Sequence, residues 1–196
     1  VDVNDYHRQL VERISSLPEA LSVGFSGYEG PGQTGWKDTA STMTAASNPN
    51  AGMMSTCVMI SPGFLQTLGI GLVHGRGFDW TDDERHPRVA IISAGLAKRL
   101  FPSGNPIGQR IRFGFMPELQ DLEVVGTAGT ARLFDLRDAS SPLVYLPYLQ
   151  YPKWTQRGDL FLRSRQAPEA IAKIVVHEIE SFGHEYVLNT KTLGQQ

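Results

Sequence analysis

The stretch DLFLRSRQAPEAIAKIVVHEIESFGHEYVLNT, residues 159–192, reads as strand, helix, strand, and it decides the fold class. Asp159 to Arg163 holds Leu160, Phe161 and Leu162 in a run too short for a helix, as a strand does. Pro168 stands where a first helical turn tolerates it, because the N–H it lacks has no partner there. Ile171, Ile174, Val175, Ile179 and Phe182 then recur at three and four and make one apolar stripe. Gly183 is placed to end the helix, and Tyr186 to Thr192 reads as the second strand.

The amino-terminal end has a related pattern. Residues 5–17 read as an amphipathic helix on Tyr6, Leu10, Ile14 and Leu17, with Asn4 or Asp5 as its cap and Pro18 as its stop. Strands are expected at 20–26, 36–43 and 54–60, separated by a Gly-rich turn over 27–35 and the Asn48-Pro49-Asn50 turn. Beyond the Ser61-Pro62-Gly63 break comes one helical turn at 64–68 closed by Gly69. An irregular stretch with Gly71, Gly75 and Gly77 follows, then an acidic loop over 79–84. Further strands are expected at 88–92, 110–115, 123–126 and 143–146, with Ser93 capping a helix that Pro102 ends. The alternation predicts an α+β protein: a ferredoxin-like, porter-type subdomain (1–62 and 143–196) interrupted by a smaller β-rich subdomain (63–142).

Composition narrows the function classes. In 196 residues, 18 basic against 20 acidic side chains leave a net charge of -2, so no positive field draws the chain to nucleic acid. The one cysteine, Cys57, excludes an internal disulfide and lies in an apolar run, where it reads as a small core residue. No run approaches the about 20 apolar residues that span a bilayer. The chain opens on Val1 without a basic-then-apolar leader, so a processed protein or a piece of a longer one is expected.

The motifs that carry chemistry are incomplete. A zinc-protease helix needs a second histidine one turn after His177-Glu178, and that position is Ser181. A nucleophile elbow needs Gly-x-Ser-x-Gly between strand and helix, and Ser26 lacks that spacing. Gly69-Ile70-Gly71 has no third glycine and no helix to open, so it is no dinucleotide loop. His74, Asp79, Asp82, Asp83 and His86 lie close enough in sequence to hold a divalent cation, against the plainer reading of a solvated acidic turn. Tyr148, Tyr151 and Trp154 could form an aromatic shelf or ordinary packing, and His7 reads as a surface helix residue. No catalytic, cofactor-binding or metal-binding residue is assigned.

A resemblance points elsewhere. The run Ser61-Pro62-Gly63-Phe64-Leu65-Gln66-Thr67-Leu68-Gly69-Ile70 is followed by Gly75-Arg76-Gly77-Phe78, Asp82-Asp83 and Val89-Ala90-Ile91-Ile92-Ser93. Then come Ala97-Lys98-Arg99-Leu100-Phe101-Pro102, Pro106-Ile107-Gly108-Gln109-Arg110-Ile111, Val124-Val125-Gly126 and Val144-Tyr145-Leu146-Pro147. In order and spacing this resembles the MacB-type periplasmic core domain of ABC transporter permeases, within the FtsX-like/MacB permease family and nearest its acidobacterial type. Gly77 and Leu65 depart from the pattern, at a turn and a packing position.

The resemblance implies an extracytoplasmic domain on the periplasmic side of a bacterial inner membrane, anchored by transmembrane helices outside this chain. It implies a porter-like part interrupted by a smaller, sabre-like one, no enzymatic activity and no cofactor. The partners it implies are those helices, a second permease protomer, an ABC ATPase subunit acting through the membrane and a periplasmic adaptor. The expected work is to transmit ATP-driven movement and to contact partners or cargo. The alternative is a small-molecule or lipoprotein-binding module with a cleft between the subdomains, and a hydrolase or metal enzyme is a distant third. Arg76 beside the acidic loop is expected to fix it by a bidentate pair with Asp79 or Asp82.

Overall fold

The computed structural model describes residues 3–27, 36–44, 52–129, 142–154, 158–183 and 190–192. Helix α1 (Val3–Ser15) leads into strand β1 (Ala20–Ser26), followed by β2 (Trp36–Thr42) and β3 (Met53–Ile60). A short helix α2 (Phe64–Thr67), β4 (Leu72–Gly75), β5 (Val89–Ser93), α3 (Ala94–Leu100), β6 (Arg110–Phe113) and β7 (Leu122–Ala128) come next. Strands β8 (Leu143–Pro147) and β9 (Asp159–Ser164) and helix α4 (Pro168–Phe182) complete the order. The α+β class holds.

The strands join in the order β2-β6-β7-β5-β8-β3, and β2 also pairs with β3, so six strands close on themselves. Trp36 opposite Cys57 through Ala40 opposite Met53 is the closing seam. β1 and β9 extend this ring from β3 through the Ser26–Ile60 pair, and β4 branches from β7. Side chains alternate between two clusters. Ala40, Cys57, Met59, Ile92, Phe113, Val124 and Val144 come from all six ring strands, so this set fills the ring, as small barrels require. The same cluster continues under α1 and α4 through Leu10, Ile14, Val23, Phe25 and Ile179. The other face carries Val58, Ile60, Ile91 and Tyr145, roofed by Phe64, Leu65, Ile70 and Phe78. Residues 63–142 thus supply β5, β6 and β7 to the same ring that β2, β3 and β8 complete.

Several local features follow the sequence logic. Ser93 Oγ accepts the N–H of Leu96 and caps α3, and it also accepts the N–H of Leu143 at 3.0 Å. Gly63 opens α2 at φ 81°, a left-handed conformation that favours glycine. Gly126 admits the close passage of the Arg76 carbonyl, where a Cβ would collide. β6 alternates exposed and buried residues as its basic-apolar pattern implied.

Other features correct the sequence reading. α1 starts at Val3, so Asp5 lies in its first turn instead of capping it. The stretch expected to be irregular at Gly71–Gly77 contains β4, paired with β7; all four of its residues are exposed, so no burial alternation marks it. Gly183 ends α4 in extended backbone, without a left-handed turn. The 27–35 turn beyond Gly27, the Asn48-Pro49-Asn50 turn and most of the Tyr186 to Thr192 strand lie outside the described residues.

Candidate functional site

Polar side chains concentrate in the acidic loop after β4. The Arg76 N–H donates to the Val125 carbonyl, which fixes the start of the loop to β7. The Arg76 guanidinium then donates to both Asp82 oxygens, Nη1 to Oδ2 at 2.7 Å and Nη2 to Oδ1 at 2.8 Å. This is the bidentate clamp that the sequence anticipated, with Asp82 as the partner; Asp79 stands 3.8 Å away. Asp82 is 4% exposed and also accepts the Asp79 N–H, so it is a buried anchor, not part of a solvated turn. The hydrogen bond to Asp82 raises the Arg76 pKa further.

Asp79 and Asp83 are engaged within the loop itself. Asp79 accepts the hydroxyl and the N–H of Thr81, and these bonds hold its pKa below the usual carboxylate range. Asp83 meets His86 Nδ1 at 2.8 Å and accepts the Arg85 N–H, which lowers its pKa in the same way. His74 sits on β4, opposite Thr127. Among the described residues, no three His, Cys, Asp or Glu side chains are grouped to hold a metal ion.

Gln150 ties the far end of the loop to the ring. Its Nε2 donates to the carbonyls of Asp83 and Pro87, and its Oε1 accepts the Val89 N–H. It is 4% exposed, and its partners lie far away in sequence, so no pattern announced it. The loop so held presents Trp80 to α1, where the Arg8 guanidinium lies 5.5 Å from the ring centre and is paired with Glu12 at 2.9 Å. Between α1, β1, the start of α2 and Trp80 lies an open groove of about 570 Å³.

The other residues singled out in the sequence are structural. Cys57 is buried in the ring, and burial pushes its thiol pKa well up. Ser26 closes β1 and is buried. Gly69 and Gly71 lead into β4, not into a helix. Tyr148 and Tyr151 are buried; Tyr151 stacks on Trp154 at 5.4 Å, and Trp154 meets Trp36 edge-on at 6.0 Å. Burial pushes the Tyr151 hydroxyl up to about 12. The aromatic trio is therefore packing, not an open shelf.

Two residues depart from expectation. Glu178 accepts from Arg13 Nε at 2.6 Å and joins α4 to α1, so it is not merely solvated, while His177 is exposed. His7, expected on the surface, is 3% exposed and stacks on Phe25 with ring centres 4.3 Å apart. Its positions relative to Leu10, Val11 and Ile14 are those of one helix face, a signal available in the sequence but masked by reading histidine as polar.

Comparison with known proteins accords with this architecture. The model of the MacB-like periplasmic core domain matches residues 19–177. The structure is similar to the periplasmic region of MacB from Actinobacillus actinomycetemcomitans, with a TM-score of 0.61 at 15% identity, covering 89% of this chain and 72% of that one. It is also similar to the extracellular domain of the noncanonic ABC-type transporter YknZ from Gram-positive bacteria, with a TM-score of 0.58 at 16% identity, covering 88% and 81%. Among curated proteins nothing matches in sequence. The chain belongs to the MacB-like periplasmic core domain family, the periplasmic domains of ABC transporter permeases. Among the described residues no helix is long and apolar enough to cross a membrane.

Proposed function

We propose that this domain is the non-catalytic, mechanical and interfacial part of an ABC permease. It transmits ATP-driven movement from the membrane and presents a surface to periplasmic partners or cargo. The observation that best supports this is the joining of its layers. β1 pairs with β9, α1 is tied to α4 by Arg13 and Glu178, and β1 joins this layer to the ring at Ser26–Ile60. A displacement of α1 or α4 therefore reaches the filled ring as a push on a stiff body. The proposed partners are the permease's own membrane helices, a second protomer, an ABC ATPase subunit and an adaptor. The division into a porter-like part (1–62 and 143–196) and an insert (63–142) belongs to the same proposal, with the insert built into the shared ring.

Two measurements test it. The coding sequence on either side of the chain should encode spans of about 20 apolar residues; polar flanks on both sides would remove the anchoring. In the full permease with its ATPase, Arg13→Glu, which cuts the tie between α1 and α4, should alter ATP turnover, and the swapped pair Arg13→Glu with Glu178→Arg should restore it. Unchanged turnover in a folded Arg13→Glu permease would sink the transmission reading. The second reading, a ligand-binding module, is favoured by one observation: the groove lies where Val11 and Leu21 of the first segment meet Gln66 and Trp80 of the insert. A ligand of such a site raises the melting temperature, and the rise continues with the logarithm of ligand concentration beyond its dissociation constant.

A further inference from the structure

Two of the five methionine sulfurs lie against arginines, and the two arginines differ. Met53 Sδ is 3.2 Å from Arg99 Nη1, and Arg99 is exposed, so water reaches its other N–H groups. Met43 Sδ is 3.8 Å from Arg112 Nη2, and Arg112 is half-buried. The Arg112 Nε is shut off from water and has no hydrogen-bond partner among the described residues. The Nε and Nη2 donors lie on one edge of a guanidinium and form a fork that suits an oxygen acceptor. A thioether sulfur accepts too weakly to fill it. Met43 follows the last residue of β2, and Arg112 on β6 stands opposite Ser41. The two side chains therefore meet where the β2–β6 seam of the ring ends, and Met43 is 38% exposed there.

We infer that Met43 is an oxidation site whose sulfoxide is held by Arg112. Hydrogen peroxide transfers one oxygen to Sδ: the O–O bond breaks, the S–O bond forms, and the sulfur gives up two electrons. The peroxide's second oxygen leaves as water, and the protein loses no proton. Rotation about the Cγ–Sδ bond turns the new oxygen toward Nε and Nη2, which gives the buried Nε–H an acceptor. A bond from a charged donor is stronger than one between neutral groups, and an unmade buried bond is costly, so the sulfoxide fastens the end of β2 to β6. A sulfoxide in a core does the reverse. Met53 packs against the filling of the ring, so oxygen on its sulfur disturbs apolar contacts. Met59 is 5% exposed and out of reach. Met54 and Met116 are 61% and 42% exposed, and among the described residues no arginine is bonded to either sulfur. The inference stands apart from the transport function proposed above.

The test treats the whole chain with hydrogen peroxide until part of it is oxidised, and reads each methionine by peptide mass spectrometry. Met43 should oxidise along with the exposed Met54, while Met59 stays reduced. The partly oxidised chain is then heated to its melting midpoint, and the soluble and aggregated fractions are compared. Met43 sulfoxide should be enriched roughly two-fold or more in the soluble fraction, and Met53 sulfoxide depleted. Arg112→Lys keeps the charge but has no fork, so the enrichment should vanish. A second measurement needs no variant and decides the matter if Arg112→Lys does not fold. Sulfoxide reductases for both epimers should repair Met43 roughly five-fold more slowly than Met54 in the folded chain, and equally fast after denaturation. Four results overturn the inference: Met43 still reduced once Met54 is oxidised, no enrichment of its sulfoxide, enrichment that persists in Arg112→Lys, or equal repair of Met43 and Met54 in the folded chain. None of them bears on ATP turnover in the Arg13→Glu permease, so the two proposals fail separately.

Discussion

His7 stacks on Phe25 and meets Tyr148 edge-on at 6.0 Å, with its Nδ1 buried and unbonded. Burial lowers its pKa from 6.5 to about 4. The unfolded chain therefore binds the imidazole proton first, and stability is full above pH 6.5 and falls as pH drops toward 4. The loss across that window is about 3 kcal/mol by the usual conversion of pKa difference to free energy. Melting between pH 7.5 and 4.5 should show it, and His7→Phe, which keeps the stack, should flatten the curve; an equally steep curve in the variant would refute the assignment. At Arg76 the expected effect is smaller than for a fully buried pair, because its side chain is 48% exposed while that of Asp82 is 6% exposed. Arg76→Ala should cost about 1–2 kcal/mol in denaturant unfolding, with water reaching part of the stranded Asp82 carboxylate. Gln150→Ala leaves the Val89 N–H and two carbonyls without their side-chain partner and should cost about 2 kcal/mol, read in the same experiment.

Among the elements, α3 is held through one hydroxyl that serves two strands' worth of structure. Ser93 accepts from Leu96 within its helix and from Leu143 at the start of β8. Ser93→Ala should lower stability by about 2 kcal/mol. Ser93→Thr should recover most of that in the same unfolding measurement. The helices and most strands were legible because their signals are local: Pro168 and the stripe of α4, the Ser93 cap, the alternation of β6. β4 was not, because a strand exposed on all four residues carries no burial period, and its glycines look like turns. The Arg76 clamp was legible because its partner is six residues away, and the motif order carried the family. Gln150 was not, since only the folded chain brings Asp83, Pro87 and Val89 near it, and His7 was missed because its place on the apolar face of α1 was outweighed by its polarity. No pairing of β2 with β3 could be read beyond a local hairpin, and that pairing is what makes the ring.

For the whole molecule, closure makes the interior inaccessible except by opening the ring. Cys57 is its reporter: it lies on β3, is 3% exposed, and burial pushes its thiol pKa up. A thiol reagent should label it only at the rate of opening, slower by orders of magnitude than a free thiol, and denaturant should abolish the difference. Labelling of the native chain at the free-thiol rate would contradict the packing of the ring. The same closure sets an order on biosynthesis. Thr56 waits for Leu143 and Ala20 waits for Ser164, so within the domain one edge of β3 and the long edge of β1 stay unpaired until nearly all of it has been synthesised, although β2 can pair with β3 at once. At about 5–20 residues per second that interval is on the order of ten seconds. During it β1 and β3 expose strand edges that invite wrong pairing. The nascent chain is therefore the stage at which this domain most needs a chaperone, and mutations that speed aggregation should cluster in β1 and β3 even where the finished fold tolerates them.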